Sequence, residues 1–104
     1  MTIENNIYQK NDYSDMFEGS ARTEDILKDP DSLQILYKLV EKNPNITYKF
    51  IAVETKLPEE RVEKLLANML YCQLVVFNDE EKGYTLTDTG LAILYNFHEA
   101  FVKK

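Results

Sequence analysis

The sequence is poor in the residues on which most enzymes and metal sites depend. It has a single cysteine, Cys72, and a single histidine, His98. One cysteine cannot form a disulfide within the chain, and one cysteine with one histidine cannot supply the four ligands of a structural zinc site. The spacing of the two gives no support for a catalytic pair. We therefore expect no enzymatic activity, no metal and no cofactor.

Glycine and long apolar runs are also scarce. The three glycines, Gly19, Gly83 and Gly90, are too far apart to form a phosphate-binding loop. No apolar run approaches the ~20 residues that a membrane-spanning helix needs, and the polar start from Thr2 to Asn6 is unlike a secretory signal. We expect a soluble cytoplasmic protein that does not enter a membrane.

Basic side chains are outnumbered, with 12 Lys and Arg against 18 Asp and Glu and a net charge of -6. Residues 1–29 hold three basic and seven acidic side chains, a net charge of -4, so residues 30–104 carry the remaining -2. A domain that binds DNA usually presents a basic face to the phosphates. The placement of the few lysines therefore decides whether this chain can do so.

The sequence does contain enough apolar side chains for one folded domain. Hydrophobic residues make up 44% of the chain and aromatic residues 12%, which excludes a wholly disordered protein. A length of 104 residues suits one domain and is too short for two. Within that domain, Cys72 is expected to fill the core; an intermolecular disulfide between two copies is the alternative.

Residues 47–76 are the stretch around which the rest of the chain is organised. Their apolar residues recur at helical spacing in two successive segments. Pro58 suits the first turn of the second segment, where its missing N–H costs nothing. The pattern predicts a short helix capped by Thr47, a tight turn, and a longer helix running into a strand. The predicted inner faces carry Ile51, Ala52, Leu57, Val62, Leu65, Leu66, Met69 and Leu70.

The next stretch, LVVFNDEEKGYTLTDTGLAIL, predicts two short strands joined by a polar loop and followed by a helix. Within it, Tyr84-Thr85-Leu86-Thr87-Asp88-Thr89-Gly90 resembles the "Y-x-L-T-x-x-G" passage of winged-helix domains in bacterial and archaeal transcription regulators, including the MarR-type group. The resemblance covers about three quarters of the chain. It implies an α+β, mostly helical fold: a winged helix-turn-helix over residues 29–104 with a small antiparallel sheet and a C-terminal dimerisation helix over 88–103.

The segments before residue 47 are less uniform. Residues 1–28 are expected to be a partly ordered arm, either a disordered acidic arm or a helix packed on a second subunit; Tyr13, Met16 and Phe17 favour partial order. Asp29 and Pro30 predict the start of a helix. Asn43-Pro44-Asn45 ends that helix, and Ile46 is expected to begin the short edge strand that in winged helices pairs with the hairpin. The predicted inner stripe of the helix is Leu33, Leu36, Tyr37 and Val40. On the arm, Asp12, Asp15 and Glu18 are expected to form a solvated face rather than a cation site.

The resemblance also implies a function, because the second helix of DNA-binding winged-helix proteins enters the major groove. Here that helix runs from Pro58 to Cys72. Its outward polar side chains could contact bases, the start of the preceding helix could hold phosphate, and the hairpin tip could touch the backbone. The expected DNA-binding residues are Thr47, Tyr48, Lys49, Arg61, Lys64, Asn68 and Lys82.

Acidic residues in the same elements favour a second function. Three glutamates in the first turns of the helix repel phosphate, although acids there also favour the helix dipole. The loop from Asn78 to Gly83 has three acids to one base, and Gly83 is expected to supply an unusual φ. We expect a DNA-binding regulator; the alternative is an acidic interaction module that docks on a basic protein without significant DNA binding. The glutamates are Glu59, Glu60 and Glu63.

The predicted last helix is apolar around most of its circumference, so it needs burial on two sides. The core of the domain can cover one side, and a second copy in a two-fold dimer can cover the other. We therefore expect a homodimer, with help from the N-terminal segment. The expected interface residues are Leu91, Leu94, Tyr95, His98, Phe101 and Val102.

Overall fold

The computed structural model describes residues 22–102, with the side chains of residues 22–100. The fold of this part is α+β and mostly helical, with one two-stranded antiparallel sheet, as predicted. Most of the predicted N-terminal arm, including Asp12, Asp15 and Glu18, lies outside the described residues. The elements are α1 (Thr23–Lys28), α2 (Pro30–Lys42), α3 (Tyr48–Thr55), α4 (Glu59–Tyr71), β1 (Val75–Asn78), β2 (Gly83–Leu86) and α5 (Asp88–Phe97), which a turn of π-helix, His98–Val102, continues.

The start of α2 follows from its capping residues. Asp29 precedes the helix with an extended backbone, and its Oδ2 accepts hydrogen bonds from the Ser32 backbone N (3.0 Å) and from Ser32 Oγ (2.8 Å). Pro30 occupies the first helical position, where its fixed φ is already helical. The prediction that Asp29 and Pro30 begin a helix is confirmed. The bond to Asp29 also satisfies the Ser32 hydroxyl, which is buried.

The predicted inner stripe of α2 is right at Leu36, which is buried, and wrong at Tyr37 and Val40. Tyr37 and Val40 are exposed and Leu33 is only half-buried. The helix carries two apolar stripes that share Leu36, and periodicity alone does not decide which one faces inward. The packing of α1, α3 and α4 decides it. The side chains that α2 buries are Ser32, Ile35, Leu36 and Leu39.

The corner between α3 and α4 forms as predicted. Thr47 caps α3 by accepting a hydrogen bond from the Phe50 backbone N (3.1 Å). Lys56 ends α3 in the left-handed conformation at φ 63°, and α4 begins directly after Pro58. One predicted inner residue is wrong, since Leu70 is 37% exposed near the end of α4. The corner buries Ile51, Ala52, Val62, Leu65, Leu66 and Met69.

The hairpin differs from its prediction at one position. Lys82, not Gly83, takes the left-handed conformation, at φ 56°. Gly83 is needed for space instead, because a Cβ there would overlap the backbone of Asn45. That approach arises because Ile46 pairs with Tyr84 through two backbone hydrogen bonds of 2.8 and 2.7 Å. The predicted edge strand is thus a single bridge beside β2.

Hydrogen bonds of Thr87 connect the chain after α4 to the start of α5 and explain the threonine in the Tyr84–Gly90 motif. Thr87 caps α5 by accepting from the Gly90 backbone N (2.8 Å). Its own backbone N donates to the Leu74 carbonyl oxygen (2.9 Å), and its hydroxyl donates to the Gln73 carbonyl oxygen (2.9 Å). Thr87 therefore joins the end of β2, the connection between α4 and β1, and the first turn of α5. The helix start is fixed against the chain that leads into β1.

Candidate nucleic-acid interface

The outer face of α4 is open to solvent. Together with Tyr84 of β2 it borders a cleft of about 740 Å³ between the helix and the hairpin. The corner of α3 and α4 therefore leaves its outer flank accessible to a partner. The α4 residues at the cleft are Pro58, Glu60, Arg61, Glu63 and Lys64.

Tyr84 connects this cleft to the start of α3. Burial raises the pKa of the Tyr84 phenol above its usual value, and the negative charge of Glu63 and the neighbouring Tyr48 add to the effect. Tyr48 is half-buried and packs against the core. Tyr48 is therefore directed toward the core, whereas the next two residues, Lys49 and Phe50, are exposed.

Arg61 is exposed as predicted, but its guanidinium group is paired with two acids at the start of α2. Its Nε donates to Asp31 Oδ2 at 3.0 Å, and its Nη2 lies 3.6 Å from Asp29 Oδ1. The guanidinium group is therefore directed toward the start of α2 and shares two carboxylates. The two carboxylates compensate the charge of Arg61. The guanidinium group would have to leave them before it could contact DNA.

Asn68 does not lie on the outer face of α4 as predicted. It is half-buried and lines a pocket of about 240 Å³ with Asp25 and Ile26 of α1 and Leu65 of its own helix. The prediction failed because α1 was treated as part of an arm. Ile26 is buried in the same core as α3 and α4, so α1 covers this side of α4.

Three lysines remain on the elements that would face DNA. Lys49 on α3, Lys64 on α4 and Lys82 at the hairpin tip are exposed, and none forms an ion pair with another residue of the described chain. Thr47 uses its hydroxyl oxygen as the α3 cap. The exposed acids of α4 and the hairpin alone outnumber these lysines: Glu59, Glu60, Glu63, Asp79, Glu80 and Glu81.

A second surface is formed by α2, α5 and the turn of π-helix that continues α5. Tyr37, Val40, Leu91, Tyr95 and His98 surround an apolar pocket of about 210 Å³; we call these five residues the α2–α5 face. Leu91 is 48% exposed and Tyr95 61% exposed. Tyr37 Oη and His98 Nδ1 are 3.3 Å apart and share a hydrogen bond, with the two rings edge to face.

The expected dimer residues divide between this face and the interior. Leu91, Tyr95 and His98 lie on the α2–α5 face, whereas Leu94 is only 4% exposed and belongs to the core of its own chain. The side chains of Phe101 and Val102 lie outside the described residues. Tyr37 and Val40 also lie on this face, although helical spacing predicted them on the inner stripe of α2.

Within residues 22–102 no cluster of His, Cys, Asp or Glu is arranged to hold a metal ion. No helix in the same range is both long and apolar enough to cross a membrane. Cys72 is half-buried at the end of α4 and packs against the core.

No protein-family model, curated protein or solved structure matches this chain.

Proposed function

We propose that residues 22–102 form a winged helix-turn-helix domain and that the protein is a DNA-binding transcription regulator acting as a homodimer. The order of elements supports the domain type: a helix-turn-helix corner, a hairpin, and a helix clamped behind it. In this proposal α4 is the recognition helix, the hairpin is the wing, and Ile46 supplies the short third strand that pairs with β2.

The observation that carries the proposal is the open outer face of α4 beside the hairpin. An α-helix with its side chains is about 10–12 Å wide, which matches the ~12 Å width of the major groove. Lys64 lies on this face, one turn from the N-terminal end of α4. Lys49 at the start of α3 and Lys82 at the hairpin tip would hold phosphates on either side.

The α2–α5 face supports the homodimer. A two-fold interface uses the same surface on both subunits, so a protruding side chain and a pocket must lie side by side. Tyr95 protrudes next to the pocket that Tyr37, Val40 and Leu91 line. No Asp, Glu, Lys or Arg side chain lines that pocket. Two copies that each carry a net charge of -6 can meet there without opposing like charges.

DNA binding is tested by fluorescence anisotropy with mixed genomic fragments at several salt concentrations. We expect affinity to fall steeply as salt rises, because lysines release counterions from phosphate. Lys64→Ala and Lys49→Ala should each weaken binding and reduce the salt slope. Lys28→Ala is the matched control, since Lys28 lies on α1 and already faces Glu24 at 4.0 Å. Absence of any binding at low ionic strength would exclude this function.

A specific observation also favours docking on a basic protein. The six exposed acids of α4 and the hairpin outnumber the three lysines, and Arg61 is compensated by Asp29 and Asp31. A basic peptide would then occupy the cleft beside Tyr84 and contact Glu60 and Glu63. Glu60→Gln with Glu63→Gln separates the two functions: the change should strengthen DNA binding but weaken the binding of a lysine-rich peptide.

A further inference from the structure

We infer that Asp31 is a positioning residue that holds the guanidinium group of Arg61 against the start of α2, so that Arg61 is a reserve phosphate contact and Asp31 limits the affinity for DNA. The inference rests on the proposed DNA-binding function. It concerns the ion pair between α4 and α2, which helical spacing could not predict because the two residues lie 30 positions apart.

The two partners of the ion pair, Asp31 and Arg61, differ in how far each can move. Asp31 lies in the first turn of α2 and is half-buried, and its neighbour Asp29 is held by two hydrogen bonds from Ser32. The Arg61 side chain is 43% exposed and long enough to turn about its own bonds. If the pair opens, Arg61 is therefore the partner that moves, and α2 and α4 need not shift.

Arg61 also stands at the boundary between two concave surfaces. It lines the pocket beneath α1 with Asp25 and Asn68, and it lines the open cleft with Lys64 and Tyr84. Lys64 follows Arg61 by three residues, so the two side chains emerge on neighbouring positions of the α4 surface. A guanidinium group released from Asp31 would thus enter the same cleft as Lys64 and add a second positive charge there.

The strength of the pair permits such an exchange. Exposed ion pairs shift an equilibrium by about two- to five-fold at most. A phosphate contact compensates the same charge and releases a counterion, which steepens the dependence of log affinity on log salt by about 0.9 per contact. DNA can therefore displace the carboxylates, and affinity should rise when Asp31 no longer competes.

The test compares four variants of the full chain by fluorescence anisotropy with one mixed-sequence duplex over a series of salt concentrations. They are Asp31→Asn, Asp25→Asn, Arg61→Ala, and Asp31→Asn combined with Arg61→Ala. Asp25 is the matched control, because it lines the same pocket but pairs with Arg22 at 3.6 Å instead of Arg61. Asp29 is left intact because it caps α2.

We expect Asp31→Asn to bind about two- to five-fold more tightly at low salt, with a salt slope steeper by about one phosphate contact. Asp25→Asn should gain less and keep the wild-type slope. Adding Arg61→Ala to Asp31→Asn should abolish the gain. The NMR signal of the Arg61 Nε–H group should also shift and exchange faster with solvent in Asp31→Asn, without any DNA present.

Three results would overturn the inference while leaving DNA binding intact: equal gains in Asp31→Asn and Asp25→Asn, a gain that survives Arg61→Ala, or an Arg61 Nε–H signal unchanged by Asp31→Asn. Each would show that the gain comes from net charge or that the pair only ties α2 to α4. Absence of binding by all four variants and the wild type at low salt would instead remove the proposed function, and this inference with it.

Discussion

The α-carbon of Gly90 lies so close to the backbone carbonyl of Leu74 that a methyl group on Gly90 would overlap it. The first turn of α5 therefore packs directly on the backbone that leads from α4 into β1. Gly90 is buried and has no left-handed φ. Glycine is required at this position for close approach, and the last residue of the Tyr84–Gly90 motif has a steric reason.

Replacing Gly90 with alanine should destabilise the fold by about 1–3 kcal/mol, because the methyl group must push α5 away from Leu74. Chemical denaturation with a circular dichroism readout measures the change. Thr89→Ala is the matched control: Thr89 is exposed in the same helix turn, and its replacement should alter stability by less than about 0.5 kcal/mol. Equal effects of the two substitutions would contradict the steric explanation.

Thr87→Ala should lower the free energy of unfolding by about 0.5–2 kcal/mol, as expected for loss of an N-cap. The variant also leaves the Gln73 carbonyl oxygen without its side-chain donor. Thr87→Ser keeps the hydroxyl and should recover most of the stability in the same denaturation experiment. If serine is as damaging as alanine, the methyl group and not the hydroxyl holds this junction.

Leu91→Glu should convert the proposed dimer to a monomer, because it places a charge in the middle of the α2–α5 face. Sedimentation velocity at high micromolar concentration should show two copies per particle for the wild type and one for the variant. Val53→Glu serves as control, since Val53 is 70% exposed on α3. A monomeric wild type, or loss of the dimer in both variants, would refute the assigned interface.

Stability should fall at high pH through Tyr84. Burial first, and then Glu63 and Tyr48, raise the pKa of its phenol above 10.0. The unfolded chain therefore loses this proton before the folded chain does, so the stabilising contribution is complete below about pH 10 and is lost as pH rises through the folded-state pKa. Denaturation across this range should give a steeper loss for the wild type than for Tyr84→Phe.

Two further variants separate the causes of that shift. Glu63→Gln should lower the Tyr84 pKa, measured from the ultraviolet absorbance of tyrosinate, because it removes the nearby negative charge. Tyr95→Phe alters an exposed phenol on α5 and should keep the wild-type loss of stability. A wild-type profile in Tyr84→Phe would assign the alkaline transition to another group.

Local features of the fold could be predicted from the sequence because their causes lie within a few residues. Asp29 and Thr47 cap helices through side-chain bonds that reach only three positions ahead. Ile46 was expected to pair with the hairpin, and it does, as one bridge to Tyr84. The inner stripe of α2 was not predictable, because Leu36 belongs to two apolar stripes and the position of other helices selects between them.

The candidate site was harder to predict, since it depends on which partners reach each side chain from elsewhere in the chain. Helical spacing correctly put Lys64 on an open face of α4. It could not reveal that Asp31 would bind Arg61 or that α1 would cover Asn68, because both contacts depend on tertiary packing. At the hairpin, the left-handed residue was misassigned: Lys82 tolerates that conformation at an exposed tip, and Gly83 is needed for space.

The bonds from Thr87 to Gln73 and Leu74 have a consequence for the length of any operator. They tie α4, the proposed recognition helix, to α5, the helix proposed to meet a second subunit. In a dimer built through the α2–α5 face, the separation of the two recognition helices is therefore set by the protein. Inserting or deleting one base pair between the half-sites would rotate them by about a tenth of a turn, and the DNA would have to twist to compensate.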